Sequence, residues 1–65
     1  MNNYTATSGE AMTYVEAETP CAAAQLADST LKEILAAHVS PGEPDYPSEM
    51  NVHDEVTGMD YGFTL

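Results

Sequence analysis

The stretch "EAETPCAAAQLADSTLKEILAAH", from Glu16 to His38, decides the fold because it contains the end of a strand, a helix start and a long helix. Thr19 followed by Pro20 is a strong start signal. A threonine hydroxyl can accept hydrogen bonds from the unpaired amides of a first helical turn, and proline at the first helical position loses no hydrogen bond. The alanine-rich residues that follow contain no helix breaker, so the pattern predicts one helix over about 20–38.

Within this helix, apolar side chains recur every three or four residues, which predicts one face for packing on a sheet. The predicted stripe consists of Ala23, Leu26, Ala27, Thr30, Leu31, Ile34, Leu35 and His38. Asp28 and Lys32 are four residues apart with the acid first, an order that favours an ion pair on a helix surface. Cys21 is interpreted as a small buried residue beside the stripe, and the alternative is a thiol activated by the helix N-terminus.

The residues before the helix alternate with the period of a strand and predict an antiparallel hairpin. Its strands are expected over about 3–8 and 11–18, joined by a turn at "SGE", Ser8 to Glu10. In the second strand one face is expected to pack in the core and the other to meet solvent. The core set is Ala11, Thr13, Val15 and Ala17, and the solvent set is Met12, Tyr14, Glu16 and Glu18.

After the helix, "VSPGEPDYPSE", Val39 to Glu49, contains three prolines and one glycine and is interpreted as a connector over 39–49. Two further strands are expected over about 50–56 and 59–65, around a turn at Thr57 and Gly58. Their predicted core side chains are Met59, Tyr61, Phe63 and Leu65. The sequence therefore predicts a single α+β domain spanning residues 1–65, with ββαββ order and antiparallel hairpins forming a sheet with one helix packed on one face.

The charge is strongly one-sided, since eleven acidic residues stand against a single lysine and give a formal net charge of −10 at pH 7. Solubility needs only about 2–8 charges in a small domain. Direct binding to nucleic acid or to an anionic membrane is not expected, because both need cations.

The single cysteine forms no internal disulfide, and no signal peptide or membrane-length apolar stretch is evident, so a cytoplasmic monomer with a basic protein partner is expected.

The acids, the histidines and the thiol are also the residue types of catalytic and metal sites. In the run His53, Asp54 and Glu55, neighbouring strand residues point to opposite faces, so His53 and Glu55 can converge while Asp54 cannot join them. Two ligands do not make a zinc site. No acid has an evident reason for a raised pKa, and no orienting group accompanies the thiol. No enzyme activity, metal or cofactor is therefore predicted.

Carboxylates dispersed on a folded frame can take the place of phosphates in a basic groove. The predicted partner-binding set consists of acids on the open sheet face and the connector, namely Glu16, Glu18, Asp45, Glu49, Asp54, Glu55 and Asp60. Two alternatives remain open. One is a charge that serves solubility only, and the other is a small assembly or adaptor domain that pairs through a sheet edge or through the face carrying Met12 and Tyr14.

In its length, its acid excess and the run "MNNYTATSGEAMTYVEAETPCAAAQLADSTLKEILAAH", the sequence resembles small acidic phage-encoded anti-CRISPR proteins, most of all those directed at the type I-C Cascade complex. The resemblance implies stoichiometric binding to a CRISPR effector, with a Cascade subunit as the partner, and a block on the recruitment of target DNA. It implies no particular fold, and it assigns no functional residues position by position.

Overall fold

Four strands and one helix follow each other in the order predicted from the sequence. The computed structural model describes residues 1–40, 43–44 and 46–65. The elements are β1 (Asn2–Ser8), β2 (Ala11–Ala17), α1 (Pro20–His38), β3 (Glu49–Asp54) and β4 (Asp60–Thr64). This confirms the α+β class and the ββαββ order. The second hairpin has a longer turn than predicted, because β3 ends at Asp54 and residues 55–59 form the connection to β4.

The sheet has the order β2-β1-β3-β4, with every neighbouring pair antiparallel. The N-terminal strand β1 therefore lies between its hairpin partner β2 and the second hairpin. Tyr4 on β1 lies opposite Val15 on β2 and opposite Asp54 on β3. Strands β2 and β4 form the two edges. Both hairpin turns contain a glycine with positive φ, Gly9 at 58° and Gly58 at 78°, a backbone conformation that glycine adopts without steric cost.

Helix α1 begins and ends as its sequence predicts. The Thr19 hydroxyl accepts a hydrogen bond of 3.1 Å from the backbone N–H of Ala22, and Pro20 opens the first turn. The predicted ion pair is present, with 3.1 Å between Lys32 Nζ and Asp28 Oδ2. Both side chains are partly solvated, so this pair adds little to stability. Within the described ranges there is no helix both long enough and apolar enough to cross a bilayer.

The core lies between α1 and one face of the sheet. In the part of the chain that the structure describes, the largest fully buried side chains are Tyr4, Leu31 and Val52. Much of the remaining core is alanine, including Ala6 on β1 and Ala27 on α1. Small side chains on both surfaces allow the helix to lie close to the strands, so the packing depends on a few large residues. The predicted core face of β2 is confirmed, since its ends are buried and its middle is half-buried.

The buried stripe of α1 is rotated from the predicted one. It follows the four-residue steps Ala23, Ala27, Leu31 and Leu35, with Ala24 beside it. Leu26 lies about 120° around the helix from the middle of this band and is exposed, which corrects its predicted place in the core. His38, at the last helical position, is also exposed.

Two further core predictions are wrong. Cys21 is exposed rather than buried, because it lies on the flank of the stripe in the first helical turn. Met59 is exposed because it belongs to the turn before β4, where the alternation of the strand has not yet begun. Tyr61, Phe63 and Leu65 do pack against the core, as predicted.

Candidate functional site: the open sheet face

The side of the sheet opposite α1 carries no buried side chain among the residues that the structure describes. We call this surface the open face. It includes neutral polar residues on β1, an aromatic and a thioether on β2, and most of the acids of the sheet. Its members are Asn3, Thr5, Thr7, Met12, Tyr14, Glu16, Glu49, Asn51, His53, Glu55 and Asp60.

Strand register places two glutamates on either side of Asn3 at one end of the open face. Glu16 on β2 lies opposite Asn3. On the other side, the backbone N–H of Glu55 donates to the carbonyl of Asn3 at 3.0 Å, which extends the ladder by one residue beyond β3. Together with Tyr14, which is 72% exposed, these residues border a shallow depression. An aromatic ring beside carboxylates is an arrangement that suits a guanidinium group.

A chain of polar contacts crosses the centre of the open face. Asp60 Oδ1 accepts a hydrogen bond of 3.0 Å from Asn51 Nδ2 and lies 2.8 Å from His53 Nδ1. On the other side of the ring, His53 Nε2 is 3.9 Å from Glu55 Oε2. Thr5 Oγ1 donates to Glu55 Oε1 at 2.6 Å. The chain therefore orients Glu55 and Asp60 on opposite sides of one imidazole.

The short contact between His53 and Asp60 shifts the pKa of both side chains. The hydrogen bond with Asp60 raises the pKa of His53 above its ordinary value of 6.5, the charges of Asp60, Glu55 and Asp54 add to the rise, and partial loss of solvation opposes it. Hydrogen bonds from Asn51 and His53 hold the pKa of Asp60 below its ordinary 3.8. His53 therefore brings a positive charge to the open face as the pH falls to neutrality and below.

We expect His53 to make stability depend on pH in a defined direction. A histidine whose pKa is higher in the folded than in the unfolded state contributes stability that is fully present below about 6.5 and is lost as the pH rises through the higher folded value. Urea unfolding of the wild type and of His53→Asn at several pH values measures this contribution. The difference between the two free energies of unfolding should shrink as the pH rises from about 6 to about 8. A difference that stays constant would contradict the assignment.

The structure places four of the predicted partner-binding residues on the open face. Glu16, Glu49, Glu55 and Asp60 are all exposed there. Glu18 is exposed as well, but it lies just after the end of β2 rather than within the strand. Asp45 lies outside the described residues.

Asp54 does not belong to this surface, which corrects the prediction that grouped it with Glu55. It is 5% exposed and faces the helix side of the sheet, one residue out of phase with His53 and Glu55. Its Oδ1 accepts hydrogen bonds from the backbone N–H groups of Val56 at 2.8 Å and Thr57 at 3.2 Å. The carboxylate therefore holds the β3–β4 turn.

Replacing Asp54 with alanine is expected to lower the free energy of unfolding by about 1–3 kcal/mol, because the change leaves two turn amides without their acceptor. Asp54→Asn keeps the Oδ1 acceptor and should cost less. Chemical denaturation of the two variants beside the wild type makes the comparison. Equal stability of Asp54→Ala and the wild type would show that the turn holds without this side chain.

His53 was predicted from the sequence neither as a metal ligand nor as a group held between two acids. The convergence of His53 with Glu55 follows from alternation along one strand, but the approach of Asp60 depends on the pairing of β3 with β4, in which His53 lies opposite Asp60. Thr5 reaches Glu55 only because β1 pairs with β3. In the described part of the chain, no three His, Cys, Asp or Glu side chains are arranged to hold a metal ion.

Comparison of the chain with protein-family models, with curated proteins and with solved structures finds no significant match.

Proposed function

We propose that this protein is a non-enzymatic inhibitor that binds a type I CRISPR effector complex stoichiometrically and blocks its binding to target DNA. The acidic open face takes the place of the DNA backbone in a basic groove of the effector, and the protein acts in the cytoplasm of the bacterial host. The effector class comes from the resemblance to small acidic anti-CRISPR proteins. The mode of binding comes from the charges on the open face.

The observation that carries the proposal is the separation of charge in the fold. Among the described residues, four carboxylates are exposed on the open face. The one lysine of the chain lies on α1, on the other side of the sheet, and is paired with Asp28. A cationic groove that approaches the open face therefore meets Glu16, Glu49, Glu55 and Asp60 without a lysine or arginine between them. Such a field speeds association and favours pairing with arginine and lysine.

The sheet also gives the carboxylates defined positions, which a disordered acidic segment lacks. Glu16 and Glu55 project from positions separated by one strand, β1, and neighbouring strands lie about 4.8 Å apart. The separation of their backbones is thus about 10 Å. Charges on a rigid frame lose less conformational entropy on binding than charges on a flexible chain.

A gel-shift experiment tests the proposal directly. A type I-C effector is titrated onto a labelled target duplex with and without an excess of this protein. The proposal expects loss of the shifted complex and saturation near one inhibitor per binding groove. Undiminished DNA binding at a large excess of the protein would overturn it.

A second candidate is favoured by one specific observation, the exposure of Met12 and Tyr14 on the edge strand β2. Exposed apolar side chains beside unpaired backbone groups suit an adaptor domain that pairs through its sheet. Light scattering at low and high salt distinguishes the two. A dimer that persists at low salt, where copies with a net charge of −10 repel most strongly, supports assembly, and a monomer at all salt concentrations counts against self-pairing.

A further inference from the structure

We propose that Glu55 and Asp60, which flank the His53 imidazole in the free protein, bind a guanidinium group of a basic partner. Binding of this group releases a proton from His53. The inference rests on the proposed function for the existence of a basic partner. It adds to that function the two acids that bind the partner's guanidinium group, and it predicts that the affinity depends on pH.

The contacts of His53 place a side chain that can carry a positive charge between the two carboxylates. The Nδ1 atom of the ring is 2.8 Å from Asp60 Oδ1, and the Nε2 atom is 3.9 Å from Glu55 Oε2. A protonated imidazole donates a hydrogen bond from Nδ1 to Asp60, while Glu55 is near enough to Nε2 for an ion pair but not for a hydrogen bond. The three side chains are all partly exposed, with 37% of the His53 side chain accessible, so a partner can reach the same oxygens.

Among the side chains around this site, His53 is the one whose charge changes near neutral pH. On β1 the residue opposite is Thr5, which carries no charge, and on β2 the next in the row is Tyr14. The acids facing the ring are Asp60 from β4 and Glu55 from the turn, with Asp54 acting through the sheet from its other face. Glu16 on β2 lies in the next row.

The direction of the effect follows from competition for the same oxygens. A guanidinium placed against Glu55 and Asp60 removes the stabilisation that those carboxylates give to the imidazolium and adds a like charge beside it. The pKa of His53 therefore falls on binding, and the proton leaves to solvent. Affinity rises with pH through the interval between the bound and free pKa values and levels off above the free value.

A blocked oligoarginine peptide is the probe, because its guanidinium groups do not titrate near neutral pH and its capped ends carry no titratable group. Calorimetry at about pH 6 and about pH 8 should give at least about fivefold tighter binding at the higher pH. Near pH 6.5, titrations in two buffers of different ionisation enthalpy should reveal a released proton. The peptide should also lower the pKa of His53 followed through its imidazole NMR signals.

His53→Asn should bind the peptide with a much smaller dependence on pH, and His38→Asn is the matched control because His38 is exposed at the end of α1. Three results would overturn the inference: no peptide binding at either pH, an unchanged His53 pKa in the complex, or the same pH dependence in His53→Asn as in the wild type. The NMR result needs no variant and so does not depend on how His53→Asn folds.

The experiment separates this inference from the proposed function. If effector–DNA binding is undiminished by the protein while the peptide lowers the pKa of His53, the inhibitor function fails and the cation-accepting pair stands. If the protein inhibits the effector while the peptide leaves His53 unchanged, the function stands and the inference fails.

Discussion

Replacing Leu31 with alanine is expected to lower the free energy of unfolding by about 2–5 kcal/mol, the usual cost of removing a buried leucine side chain. Leu31 is fully buried, as are Tyr4 and Val52 among the large side chains of the described residues. The alanines around it on α1 cannot fill the cavity that the change would leave. Since a domain of this length has a total stability of roughly 3–10 kcal/mol, the variant should be largely unfolded under mild heating.

Leu26→Ala is the matched control, because it makes the same chemical change on the same helix at a side chain that is 56% exposed. Thermal melting followed by circular dichroism compares the two variants with the wild type. Leu26→Ala should melt close to the wild type, since alanine also has the higher helix propensity. Equal losses in both variants would contradict the difference in burial between Leu31 and Leu26.

Reversing two charges on the open face is expected to weaken inhibition by about tenfold or more, because a repulsive contact in a basic groove costs more than a missing one. Glu16→Lys/Glu49→Lys changes two exposed acids on different strands, β2 and β3. Among the described residues neither side chain forms an ion pair. The measurement is the concentration of protein that halves effector–DNA binding, beside a thermal melt that confirms folding.

The control must carry the same net charge, so that the position of the charges is tested rather than their sum. Glu33→Lys/Glu43→Lys reverses two exposed acids, one on α1 and one near its C-terminal end. Each double variant raises the formal net charge from −10 to −6, two units for each substitution. Equal inhibition by the two folded variants would show that the open face is not the binding surface.

The elements of the fold could be predicted because their signals are local. Thr19 and Pro20 mark the helix start. Gly9 and Gly58 lie in the two hairpin turns, and the side chains of the strands that flank each turn alternate between two faces. The rotation of α1 could not be predicted in the same way. Leu26 is as apolar as Leu31, and only the direction from which the sheet approaches decides which of them is buried.

The candidate site depended on contacts between distant parts of the chain and was predicted only in part. The exposure of Glu16 and Asp60 follows from the two-residue period of their strands. The role of Asp54 in the turn, by contrast, required the position of two backbone amides that no sequence pattern gave. The contact of Thr5 with Glu55 spans fifty residues and exists only because the N-terminal strand enters the middle of the sheet.

The central position of β1 has a consequence for the order of folding. Its pairing with β3 joins Ala6 to Val52, so the sheet cannot be completed before most of the chain has been synthesised. The first hairpin and α1 contain only local contacts and can form earlier, whereas closing the long loop between β1 and β3 carries an entropic cost that local contacts avoid. Until β3 arrives, the second edge of β1 has unpaired amides and carbonyls, so a nascent chain passes through a stage in which β1 is open to pairing with another molecule.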